Sequence, residues 1–182
     1  MSPNDVSVVL VHGAWADGSS WAKVIGRLAA DGVGAVAAPL PLTSFHDDVA
    51  ALDRTLERVA GPVVLVGHAY AGAVIAATRS EKVRALVYVA ALAPDGGETV
   101  ADVFYRAESH PQAPKLAPDD HGLIYLPEAA FAAAFARTPP WRNKRCWPRS
   151  SGRYRRLALR SPWTGRYGRT GLPGSWWRNT TA

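Results

Sequence analysis

The chain has 182 residues, about half of them apolar, one cysteine (Cys146) and a formal net charge of +6. That length and composition fit a single globular domain with a real core, and a lone cysteine rules out an internal disulfide. No stretch is apolar for the roughly 18 or more residues a membrane span needs. The first ten residues, MSPNDVSVVL, lack a basic segment ahead of an apolar one, so a cytoplasmic protein is the default expectation.

The net charge averages two unlike segments. Residues 1–140 carry 10 Lys and Arg against all 15 acids, whereas residues 141–182 carry 11 Lys and Arg and no acid. The second segment also holds five of the seven tryptophans. Composition therefore breaks near Pro140, and residues 1–137 are expected to be the folded domain.

Within the first part, Val6 to Val11 is an unalternating β-branched and leucine run, as in a strand buried on both faces of a parallel sheet. Residues 18–31 place Trp21, Val24, Ile25 and Leu28 on one helical face, ended by Gly32. A second strand is expected over 34–40. Ser44 with Asp47 three residues on resembles a capping box, and Asp47 and Asp48 both suit the positive end of a helix dipole. Val49, Leu52, Leu56 and Val59 continue that helix to Gly61-Pro62. Residues 62–68, 70–79 and 83–91 follow as strand, helix and strand. Strands alternating with helices of this length predict a parallel α/β sheet covered by right-handed crossovers. Asp95-Gly96-Gly97 marks a turn, residues 95–137 are lid-like, and Glu128 to Ala136 has a helical composition.

The chemistry centres on VVLVGHAYAGAVI, residues 63–75. A buried strand turns sharply into a helix at Gly67-His68-Ala69-Tyr70-Ala71-Gly72. Four segments, VVLVHGAWADGSSW (8–21), the Pro-Leu-Thr-Ser ahead of Asp47-Asp48, GPVVLVGHAYAGAVI (61–75) and ALVYVAALAPDGGE (85–98), together resemble the α/β-hydrolase fold. The branch they resemble contains small esterases and hydroxynitrile lyases. The resemblance spans about residues 5–140 and implies cofactor-free chemistry on small, rather apolar esters, with no metal.

It also implies a nucleophilic serine at the turn, inside G-x-S-x-G. This chain has Ala69 there, and a methyl group cannot attack a carbonyl. The rest of the cradle has counterparts. The N–H of Tyr70, at the start of the helix, and the N–H of Ala14, in the loop after the first strand, stand where the fold supplies its oxyanion donors. His12, Gly13, Trp15 and His68 surround that position. His12 is expected to shape the oxyanion loop, and His68 to pack behind the turn. In this fold an acid and then a histidine follow the nucleophile along the chain. After Ala69 the histidines are His110 and His121, and neither follows a credible late strand.

Residues 138–182 show neither helical nor strand period. One explanation is a basic, tryptophan-bearing arm that binds nucleic acid. Another is translation out of frame. Trp, Cys and Tyr codons begin with T, so Cys146-Trp147, Tyr154, Trp163, Tyr167 and Trp176-Trp177 mark apolar residues in a frame shifted by two bases. With permitted codon choices that frame can be reread with acids, a helical segment and a strand running into acids, and on that reading it is expected to account for more of the tail than a nucleic-acid arm does. The expected architecture is thus a truncated α/β-hydrolase fold with one sheet edge uncovered. Three functions compete: a weakly active or inactive esterase relative, a non-catalytic small-ligand module, and nucleic-acid binding by the tail.

Overall fold

The computed structural model describes residues 6–106 without interruption and, beyond them, residues 108, 113, 116–120, 123–126 and 130. Four strands form one parallel sheet: β1 (Ser7–Val11), β2 (Ala35–Ala38), β3 (Val63–His68) and β4 (Val83–Val89), in the order β2-β1-β3-β4. The helices between them are α1 (Ala22–Ala30), preceded by a 3-10 turn over Gly18–Trp21, then α2 (Phe45–Arg58) and α3 (Ala71–Ala77); α4 (Val100–Phe104) follows β4. All four strands and the three connecting helices lie where the hydrophobic runs predict them, with ends that differ by at most four residues, the largest being at the start of α1, where residues 18–21 form a 3-10 turn instead.

The order matters for function. From β1 the chain moves one way to β2 and then crosses back to β3 on the other side. Right-handed crossovers put α1 on one face and α2 and α3 on the other. The order therefore reverses between β1 and β3. In open α/β sheets the crevice beyond the carboxyl ends of two such strands is the usual ligand site.

The core lies between the sheet and α2–α3. Val9, Val11, Val63 and Leu65 meet Leu52 and Leu56 of α2 and Val74 and Ile75 of α3, all at most 1% exposed. The strands are not uniformly buried. β3 alternates between buried and half-buried residues, and β4 is mostly exposed. Among the described residues β4 pairs on one side only, with β3, which makes it a sheet edge with Val87, Tyr88 and Val89 open. The apolar face of α1 also contains no fully buried residue.

Helix starts follow local chemistry. Ser44 caps α2 by accepting the Asp47 N–H, and its own hydroxyl donates to the Asp47 carboxylate. Thr99 and Asp102 form a reciprocal capping box on α4. Gly32 and Gly61, both with positive φ, end the turns after α1 and α2. The Glu128–Ala136 helix, His110, His121 and the 138–182 tail lie outside the described residues.

Candidate functional site

The elbow between β3 and α3 has a strained backbone. Ala69 sits at φ 52°, in the left-handed region that an alanine adopts at a cost of about 1–2 kcal/mol. Its conformation is held from three directions. The Ala69 N–H donates to the Val89 carbonyl at 3.3 Å, and the Ala69 carbonyl accepts from Gly72 N–H at 3.1 Å and Leu92 N–H at 2.9 Å. Small neighbours are compulsory. A Cβ on Gly67 would lie 2.8 Å from the Ala71 oxygen, and one on Gly72 would lie 2.2 Å from the Leu92 oxygen.

The loop after β1 comes directly over this turn. A Cβ on Gly13 would meet both the Ala69 methyl and the His68 carbonyl oxygen. Ala14 is buried, and Trp15 has φ 57°, a second left-handed residue that is not glycine. The Trp15 indole N–H donates to the Ile124 carbonyl at 3.0 Å, so the segment around Leu123 and Ile124, both buried, closes on this loop. Ala69, Tyr70, Ala14, Gly13 and Trp15 thus meet at the carboxyl ends of β1 and β3.

Both histidines at the site are engaged in the fold. His12 is 2% exposed; its Nδ1 lies 2.9 Å from the Gly13 carbonyl and its Nε2 accepts the Leu40 N–H at 3.1 Å. That pattern requires the neutral ring with the proton on Nδ1, and burial pushes its pKa below the usual histidine value. The ring braces the main chain of the loop after β1 against the end of β2. His68 is half-buried and packs edge-on against Trp21, with ring centroids 6.4 Å apart. Burial lowers its pKa too. Trp21 is itself buried, and its indole N–H has no hydrogen-bond partner among the described residues.

Tyr70 behaves differently from a pocket wall. Its side chain is 5% exposed and runs away from the elbow into α2, where the hydroxyl donates to Asp48 Oδ2 at 2.7 Å. Asp48 is 1% exposed, and its Oδ1 accepts the Leu42 N–H at 2.7 Å. Sequence reasoning pairs Asp48 with Asp47 as a helix-dipole residue; the structure keeps Asp47 in the exposed cap and buries Asp48 beneath the elbow. Burial raises the Asp48 pKa to about 6, against the opposing effect of its two hydrogen bonds. The signal for this role was the Asp48 position itself, four residues before Leu52 and eight before Leu56 on the helix face that forms the core.

An apolar groove of about 680 Å³ lies elsewhere, between β2 and α2, lined by Val36, Pro39, Leu40, Ala51, Arg54 and Val59 among others. None of its lining residues belongs to the elbow or to the loop after β1. Among the described residues no three metal-ligating side chains converge, and no helix is long and apolar enough to cross a membrane.

Residues 8–180 match the profile of the Alpha/beta hydrolase family. The chain belongs to that family, and the parallel sheet and the strand–elbow–helix geometry are consistent with it. Among solved structures, the pyrethroid hydrolase PytH with BIF aligns at 23% identity and TM-score 0.61, over 74% of this chain and 64% of that one. A pyrethroid hydrolase from Sphingobium faniae JZ-2 aligns at 23% identity and TM-score 0.59, over 74% and 65%. An extracellular α/β-hydrolase from a Paenibacillus species, described as sharing homology with tobacco salicylic acid binding protein 2, aligns at 22% identity and TM-score 0.50, over 53% and 45%. At these identities the likeness is one of fold, and the chain spans less than two thirds of the length of these relatives. A search of curated proteins finds no match.

Proposed function

We propose that this chain is an esterase-like member of the family without a nucleophile, which binds small, rather apolar esters and turns them over weakly or not at all. The observation that carries this is Ala69: the strained elbow is built, at φ 52°, around a methyl group. In this reading the N–H groups of Tyr70 and Ala14 hold the ester carbonyl oxygen. Gly13 keeps the loop close enough for both, His12 braces that loop, and Trp15 and His68 line the approach. Neither His12 nor His68 serves as a base, since His12 has both nitrogens engaged with main chain and His68 is packed on Trp21. The hydrolase activity named for the solved relatives supports the ligand class.

Removal of a triad member typically leaves about 10³–10⁴-fold acceleration over water, supplied by the oxyanion donors and binding. The test is twofold. Saturation-transfer NMR with phenyl acetate should show saturable binding, while p-nitrophenyl acetate should be cleaved no faster than that residual level. A covalent acyl adduct at the elbow, located by mass spectrometry, would overturn the proposal. The acid-free segment 141–182 fits an out-of-frame translation better than a nucleic-acid arm. Coding DNA free of a one- or two-base slip near codons 138–141 would remove that part.

A further inference from the structure

The buried Asp48 joins three pieces of chain. From α2 its carboxylate reaches Leu42 in the loop after β2 and Tyr70 at the N-cap of α3, each at 2.7 Å. Both connections end next to strained backbone. Leu42 is itself left-handed, at φ 55°, and Tyr70 directly follows Ala69 at φ 52°. The Tyr70 ring is further held edge-on by Phe45, at a centroid separation of 6.1 Å. An apolar pair would avoid the desolvation penalty of a carboxylate but would leave the buried Leu42 N–H unpaired. Asp48 meets that N–H and the Tyr70 hydroxyl with one carboxylate.

We propose that Asp48 is a positioning residue for the elbow, fixing Tyr70 by its hydroxyl so that the Ala69–Tyr70 peptide keeps its N–H directed at the carbonyl-binding position. The proposal rests on the carbonyl-binding function only for what that N–H meets; the tether itself is a property of the fold. Its logic is leverage. The peptide orientation depends on the Tyr70 backbone torsions, and the ring, clamped at its far end and flanked by Phe45, leaves those torsions little freedom. The charged form of Asp48 accepts both hydrogen bonds, and the protonated form accepts them less strongly. The ionisable groups that act on it are Tyr70, the N-cap of α3, and Asp47 from its own helix.

The experiment uses the full chain labelled with ¹⁵N, together with Asp48→Asn, Tyr70→Phe and the double variant. In the unsubstituted chain the Tyr70 amide resonance should move with pH through the titration of Asp48, and in Asp48→Asn it should stay flat. Phenyl acetate affinity should fall about tenfold in either single variant, the loss of one hydrogen bond to a charged group, and no further in the double. A Tyr70 amide that ignores pH in the unsubstituted chain overturns the positioning role. So does unchanged phenyl acetate affinity in Tyr70→Phe, which removes one oxygen atom and keeps the ring if Asp48→Asn fails to fold. Absence of any phenyl acetate binding by the unsubstituted chain overturns the carbonyl-binding function instead, and the amide titration then decides the positioning role by itself.

Discussion

A Cβ added at Gly13 would sit 3.1 Å from the Ala69 Cβ and 3.1 Å from the His68 carbonyl oxygen. The loop after β1 and the elbow after β3 thus pack closely here, with no room for an added methyl between them. Gly13→Ala should force the two apart by a few tenths of an ångström. The His68 oxygen is main chain and cannot swing aside. A loss of about 1–2 kcal/mol in denaturant unfolding is expected, with weaker binding of phenyl acetate. Unchanged stability would mean that the loop moves freely.

Ala69 offers the opposite test. Glycine accepts φ 52° without strain, so Ala69→Gly should recover the left-handed cost, offset in part by the greater entropy of the unfolded chain. A net gain of up to about 1 kcal/mol is expected, read as a higher melting temperature.

Ala69→Ser adds a hydroxyl at the elbow but no base to activate it. Its p-nitrophenyl acetate rate should stay within about tenfold of the parent chain, because an unactivated serine is a weak nucleophile at neutral pH. A rise of a thousandfold would reveal a base that His12 and His68, as held here, do not provide.

His12→Leu should cost about 2–4 kcal/mol. Leucine fills the space but strands the Leu40 N–H and the Gly13 carbonyl, each buried polar group costing about 1–3 kcal/mol when left unpaired. Differential scanning calorimetry would measure it. His12→Gln, which keeps an acceptor and a donor, should lose less.

The pH dependence of stability separates Asp48 from the histidines by sign. The folded pKa of Asp48, about 6, lies above the unfolded carboxylate value, so the folded state holds this proton more tightly. That term is fully present at pH below the unfolded value and is lost as pH rises to about 6, on the order of 3 kcal/mol in total. His12 and His68 have lowered pKa values, so their contribution is present above the unfolded histidine pKa and is lost as pH falls. Asp48→Asn should remove only the first slope. Urea midpoints at pH 4.5, 5.5 and 7 in parent and variant would show it, and parallel curves would contradict the raised pKa.

The elbow is legible in VVLVGHAYAGAVI because three constraints coincide there: a β-branched run, a helix that begins at once, and small residues where the backbones touch. Gly67 and Gly72 are the only residue type their surroundings admit. The loop that meets the elbow is legible by its offset from the first strand. Asp48 is legible only in part: its offset from Leu52 and Leu56 places it on the buried helix face, but its partner Tyr70 lies 22 positions later and leaves no local signal. The left-handed Leu42 and Ala90 carry no local signal, since neither is glycine, asparagine or aspartate; hydrogen bonds from elsewhere impose Leu42. Exposure along β4 is equally hidden, because an apolar strand reads the same in the centre of a sheet and at its margin.

The indole bond from Trp15 to Ile124 spans 109 residues. During synthesis the β1 loop leaves the ribosome long before its clamp does, so the sheet can assemble while that loop is still unfastened. Contacts this distant in sequence close late, after the chain between them has paid its loop entropy. The final shape of the site is therefore a late event in the life of each molecule, and a nascent chain halted before Ile124 would carry the elbow without its roof.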